Sequence, residues 1–300
     1  MSISNSPLKE LYLNKADCVI ELPEWLLPPE KIEEYRATPG LAIVEIAGRD
    51  SVAAAVKSAE DEGFTDLLPT YVYTGTEHGP WESVERAVDH LARRLPQVCV
   101  HDMIVLGSPG FWQALNGRFI SKLISKYGFS TPCVGCHLYL HTVRIPLSIM
   151  LGEVPIIAGE RQTHDGTIKV NQVSEALDVY QNLANDFGVR LLLPLRHVSE
   201  GTRITEMLGF EWQAGKEQLS CVLSENYRGL DGSVDATARQ VQRYLEEFAE
   251  PCAKKIIESY LAGDIPDHLE IAAQVLNASS KRSSLSSGLS APSSIHRLSS

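Results

Sequence analysis

The chain contains no run of about 18 uninterrupted apolar residues, the length needed to cross a bilayer, so no membrane span is expected. Its opening segment, MSISNSPLKELYLNKADC, lacks the apolar stretch of a secretory signal. Cysteine is sparse and irregular, six in 300 residues, which does not suggest a disulfide framework. Reduced thiols available for metal or catalysis fit better, and the expected location is cytoplasmic. Basic charge is also short: the formal net charge is −11. Proteins that grip a nucleic-acid backbone draw affinity from a basic surplus or stripe. Here basic residues are scattered, apart from Arg93-Arg94 and Lys254-Lys255. That favours a small-molecule or nucleoside substrate and weighs against tRNA, unless a local patch forms in three dimensions.

With 44% hydrophobic residues, the chain can bury a large α/β core. Its most informative stretch is LAIVEIAGRDSVAAAV, residues 41–56. Leu41 to Ala47 reads as a buried strand that breaks at Gly48-Arg49-Asp50-Ser51 and restarts as an alanine-rich helix. A strand, a tight glycine turn and a helix N-terminus present unpaired N–H groups to an anion. Phosphate binding is one reading, with Asp50 holding magnesium; an ordinary turn capped by Asp50 or Ser51 is the other.

Strand and helix then alternate. Strands are expected at Asp66–Thr74, Met103–Leu106, Val154–Ala158 and Val189–Leu193, and helices at Trp81–Leu95, up to Tyr127, over 137–151 and over 174–187. This spacing predicts a parallel sheet with helices on both faces and ligands gathered beyond the strands' carboxyl ends. Gly48–Ser51, Gly107–Gly110 and Gly159–Lys169 would all fall there. Residues 1–40, with Pro23, Pro28, Pro29 and Pro39 among them, read as an irregular N-terminal extension, 41–275 as the catalytic domain, and 276–300 as a disordered serine-rich tail. The amphipathic pattern over 235–262 would cover the sheet or a second subunit, so a homodimer is among the expectations.

Cys133-Val134-Gly135-Cys136 has the spacing at which two thiolates bind one metal. Pro132 and the helical segment that follows place the pair at a loop–helix junction, where a helix N-terminus lowers a thiol pKa. A further ligand is required, and Cys221 is the leading candidate, since it follows the fifth strand. His137 and His141 are nearer, but a histidine pair four residues apart, starting right after a ligand, is awkward for one metal. They are read as structural or substrate-contacting. Cys18, Cys99 and Cys252 read as small buried hydrophobes. Three cysteines with an open position suit a 4Fe-4S cluster, whereas a structural zinc, the alternative, wants four closed positions.

The residues resemble the PP-loop ATP pyrophosphatase superfamily, and within it the iron–sulfur-dependent tRNA thiolation branch. Its SGGxDS loop is similar to Ile46-Ala47-Gly48-Arg49-Asp50-Ser51, with the first serine and first glycine replaced. The branch's CxxC and following helical arginine look like Cys133, Cys136 and Arg144. Its later strand and polar signature look like Ile156 to Arg161, followed by His164-Asp165-Gly166. Leu193-Pro194-Leu195-Arg196 is similar to its PLR element, and Cys221 falls where its third cluster cysteine would. The resemblance covers roughly residues 40–230. The additional CxxC zinc modules of some tRNA-thiolating relatives are missing.

Membership would imply a PP-loop, HUP-like Rossmannoid fold, ATP cleaved to AMP and pyrophosphate with Mg2+, and adenylation of a carbonyl oxygen that sulfide from a sulfur donor then displaces. Gly48, Arg49, Asp50, Ser51, Gly159 and Arg161 would hold the nucleotide; Cys133, Cys136 and Cys221 would hold the cluster and, with Asp50, carry the chemistry. His137, His141, Arg144, Glu160, His164, Asp165, Lys169, Asn171, Gln172 and Arg196 are the substrate candidates, with Asn226, Tyr227 and Gly107–Gly110 as further pocket residues. The expected activity is an ATP-dependent sulfur transferase acting on a base, nucleoside or small carbonyl compound. Its alternatives are an amidating PP-loop ligase with a structural metal and a non-enzymatic nucleotide-binding protein.

Overall fold

The structure, a computed structural model, describes residues 27–80, 82–213 and 218–287. Eight strands follow in chain order: β1 (Leu41–Glu45), β2 (Asp66–Val72), β3 (Glu77–His78), β4 (Cys99–Val100), β5 (Ile104–Leu106), β6 (Ile156–Ile157), β7 (Leu191–Leu192) and β8 (Ser220–Cys221). Six of them make one parallel sheet in the order β4-β2-β1-β6-β7, with β5 also pairing β2 beyond β4. β3 and β8 form a separate antiparallel ribbon that sets Glu77 opposite Cys221.

Both faces of the sheet are covered, and the sequence shows how. Along β1, Leu41 and Ile43 enter one apolar cluster while Ala42 and Val44 enter the other. In β2, Leu68 and Val72 face the first cluster, and Leu67 and Tyr71 the second. A strand buried on both sides reads as a continuous apolar run although its side chains alternate between faces. The α/β architecture with a parallel, Rossmann-like sheet is therefore the expected one.

The segment over 235–262 is helical from Ala238 to Leu261, interrupted by a π-helical turn over Leu245–Ala249 just before Pro251. Proline has no N–H for the helix ladder, and a locally widened turn absorbs the loss. Its apolar face (Val241, Tyr244, Phe248, Cys252 and Ile256) is buried in the larger cluster of the same chain. The serine-rich stretch departs from expectation. A helix runs His268–Ser287, well into the region read as disordered. Ala272, Val275, Leu276 and Ser279 are buried along one face at helical spacing, and Lys126 Nζ donates to Ser279 Oγ at 2.6 Å. Those few residues anchor a segment whose average composition argues against packing. Trp81, residues 288–300 and the N-terminal extension up to residue 26 lie outside the described residues.

The strand order reverses between β1 and β6. After β1 the chain moves to β2 on one side, and later returns to β6 on the other. Such a switch point opens a crevice beyond the strands' carboxyl ends.

Candidate functional site

The crevice holds a cavity of about 270 Å³. Its walls include Glu45, Ile46 and Ala47 from the end of β1, and Tyr71, Thr74, Thr76 and Glu77 from beyond β2. Cys133, Cys136, His137 and Arg144 come from the helix Pro132–Thr142 and its continuation, and Lys169 and Asn171 from the loop after β6. Cys221, Tyr227 and Arg228 close the far side. The three cysteines of the sequence argument thus face one space, as does the strand end that leads into the Gly48–Ser51 turn.

Each thiol is weakly held. Cys133 Sγ donates to Leu223 O and lies 3.2 Å from Asn226 Oδ1, Cys136 Sγ accepts from Trp112 Nε1 at 3.3 Å, and Cys221 Sγ lies 3.5 Å from Thr76 Oγ1. Cys133 sits in the first turn of its helix, yet burial pushes its thiol up to about 12, with Cys221 adding to the effect. The expected helix-terminus depression of the pKa is outweighed, because desolvation of a thiolate exceeds what one helix end supplies. Burial also pushes Cys136 up. Gly135 does not ease a turn but lies within the helix: a Cβ there would clash with Asn116 Oδ1 and Tyr244 Oη, so its smallness lets the cysteine helix pack.

Beside the thiols, and partly from the same helix, runs a chain of buried charges. Arg144 donates to Thr70 Oγ1 at 2.7 Å and stands 3.4 Å from Glu45. Glu45 Oε1 meets His141 Nδ1 at 2.8 Å, His141 Nε2 lies 3.2 Å from Glu160 Oε1, and that oxygen is 2.7 Å from His137 Nδ1. Gln172 donates to the other Glu160 oxygen and meets His164 on its far side. His164 Nδ1 and Arg161 then flank Asp50 at 3.7 and 3.4 Å. Burial alone would raise the carboxyls of Glu45 and Glu160. Arg144 and His141 outweigh it at Glu45, and His137 and His141 hold Glu160 well below the usual range. Burial would likewise depress His141, but Glu45 and Glu160 raise it to about 9.

The turn is internally satisfied. Ser51 Oγ accepts from the N–H groups of Ala47 and Gly48 at 3.1 and 3.0 Å and donates to Gly48 O at 2.7 Å. Arg49 points away, onto Gly201 O and Thr205 Oγ1. Gly159 passes so near that a Cβ would come within 2.6 Å of the backbone of Asp50 and Ser51. Arg161 also ties down Val198 O and Ser199 O, while Asp165 accepts from Gly201 N–H at the start of the Gly201–Leu208 helix. Arg196 faces Asp178 at 2.7 Å and does not line the cavity. Ser108, in the Gly107–Gly110 segment, caps its helix by accepting from Phe111 N–H.

Glu45 and Glu77 were not singled out from the sequence. The signal for Glu45 was a carboxylate ending an otherwise apolar buried strand, which demands a partner. Glu77 gave no such signal. Tyr71 donates to it, burial raises its carboxyl, and it reaches the cavity only through the β3–β8 ribbon.

Fold and site define an α/β protein with a Rossmann-like parallel sheet and a thiol-lined crevice at its switch point. No protein-family profile matches the chain. It is 40% identical over 231 residues to the Uncharacterized protein MJ0009 of Methanocaldococcus jannaschii, a match covering 75% of this chain and 82% of that protein. The chain belongs to the same family as this archaeal protein. No helix among the described residues is long and apolar enough to cross a membrane.

Proposed function

We propose that the chain is an ATP-dependent adenylating sulfur transferase that replaces a carbonyl oxygen of a base, nucleoside or other small molecule with sulfur. The observation that carries this reading is the meeting of Cys133, Cys136 and Cys221 in one cavity with Glu45–Ala47. Chemically the combination makes sense: a carbonyl oxygen leaves poorly until adenylated, and a helix-start turn favours the departing pyrophosphate. The nucleotide would lie at Gly48–Ser51 and Gly159, with Asp50 exchanging its Arg161 and His164 contacts for magnesium. Arg144, Lys169 and Arg228 line the cavity and supply positive charge for an anionic adenylate.

The donor set fits a cluster better than a zinc ion. Tetrahedral zinc at about 2.3 Å from each thiolate draws its sulfurs to about 3.8 Å apart. The three Sγ atoms do not form one of the ligand sets that close to within 4.8 Å among the described residues. Burial pushes the thiols of Cys133 and Cys136 up, so a cationic centre would be needed to bring them to thiolates. A cluster held by Cys133, Cys136 and Cys221 would supply an iron with an open position for sulfide.

The test is pyrophosphate and AMP formation by anaerobically reconstituted protein, screened over carbonyl-bearing nucleosides with sulfide or ammonia as co-substrate. Sulfide-dependent AMP formation with a thiocarbonyl product supports the reading. Turnover with ammonia alone points to an amidating ligase, and nucleotide binding without AMP to a non-enzymatic role. Asp50→Asn should lower AMP formation at least about tenfold, about 1.4 kcal/mol of barrier, without changing the circular dichroism spectrum.

A further inference from the structure

We infer that His137, His141 and Glu160 form a second metal site, for a divalent transition metal such as zinc, separate from the three thiols. Among the described residues these three ligand atoms close to within 4.8 Å of one another. They converge on Glu160 Oε1, with His137 Nδ1 at 2.7 Å and His141 Nε2 at 3.2 Å. Zinc ligands at about 2.0–2.1 Å in a tetrahedral arrangement stand about 3.4 Å apart, so a small outward rotation of His137 admits the ion. His137 is free to make it, being partly exposed at the cavity wall.

Two independent features point to a ligand here. His141 is buried, and its Nε2, although near Glu160, has no hydrogen-bond partner of acceptable geometry. A buried ring nitrogen left in that state is costly unless something else engages it. Moreover, the surroundings match the outer shell that histidine metal sites carry. Glu45 Oε1 meets the opposite nitrogen of His141 at 2.8 Å, and Arg144 stands 3.4 Å from the same carboxylate oxygen. Gln172 donates to the second oxygen of Glu160. Each buried ligand is therefore oriented from behind, while His137 leaves a side open to the cavity.

The helix explains the spacing. Histidines four residues apart lie one above the other on a helix face. The pair is awkward for a metal shared with Cys136, but well placed for a carboxylate arriving from the end of β6. Two histidines, one carboxylate and an open position make a reactive rather than a closed structural site. The ion would sit beside the thiols and present a bound water or substrate oxygen to the same space. This inference does not rest on sulfur transfer.

Cobalt is the probe, because its spectrum reports its ligands. Nitrogen and oxygen ligation gives visible d–d bands alone, whereas thiolates add an intense near-ultraviolet charge-transfer band. The full chain carrying Cys133→Ser, Cys136→Ser and Cys221→Ser, checked for folding by circular dichroism, should bind one cobalt with d–d bands and no charge transfer. His137→Ala should abolish those bands in this background. Glu45→Gln should weaken cobalt binding about 10–100-fold, as loss of an orienting partner does. A folded triple-cysteine variant that binds no cobalt, or whose cobalt Kd His137→Ala leaves unchanged, would overturn the site.

Discussion

The two walls of the cavity are finished to different degrees. From one wall, where Arg144 and Glu45 line the cavity, a chain runs back through His141, Glu160, Gln172, His164, Asp50 and Arg161, each charge beside an opposite or a polar neighbour. On the other, three sulfurs have only weak contacts at 3.2–3.5 Å, and burial pushes the thiols of Cys133 and Cys136 up. In the charged chain the carboxylates meet cations within the fold, because an unpaired buried charge is too costly to leave. The thiols have no charged partner of this kind. The difference separates groups whose charges meet within the fold from thiols that find no charged partner there.

Removing a member of the charged chain should have the largest effect. Arg144→Leu leaves Glu45 buried beside a lost cation, and should cost about 3–5 kcal/mol, read as a lower urea midpoint at unchanged slope. A loss below about 1 kcal/mol would break the contrast between the walls. Gly159→Ala comes next. Its Cβ would press on the Asp50 and Ser51 backbone at 2.6 Å, and overpacking of this kind costs about 1–3 kcal/mol. Cys221→Ala in the metal-free protein should cost no more than about 1 kcal/mol, since the side chain is partly exposed and weakly bonded. A larger cost would make Cys221 structural.

The last contrast is one of pH. Only the thiolate is alkylated, and Cys133 is pushed up to about 12. Its iodoacetamide rate in metal-free protein should therefore keep climbing above pH 10, while an ordinary thiol levels off above its pKa of about 8.5. A plateau near that ordinary value would mean that the helix end, and not burial, governs this thiol.

Much of the fold was legible because strong patterns carried it. The apolar run into Gly48, the helical spacing after it and the alternation that followed point to a parallel sheet covered on both faces, though not to its strand order. The CxxC pair and the later Cys221 also stand out by residue type. What joins them does not: β3 and β8 are two residues each, too short to show a period. The charge chain was equally hidden, since Glu45 and His141 lie 96 positions apart and meet only through tertiary packing. At the turn, the motif showed residue types but not their partners, so Arg49 reads as a phosphate contact until Gly201 and Thr205 are seen to hold it. The buried face of the last helix was masked by the serines around it.

The central claim is that Cys221 joins Cys133 and Cys136 on one centre. Iron and acid-labile sulfide analysis of anaerobically prepared protein tests it most directly. The account predicts about four irons per chain, lost alike in Cys133→Ala and Cys221→Ala. Iron-free wild-type protein, or full loading in Cys221→Ala, would contradict it.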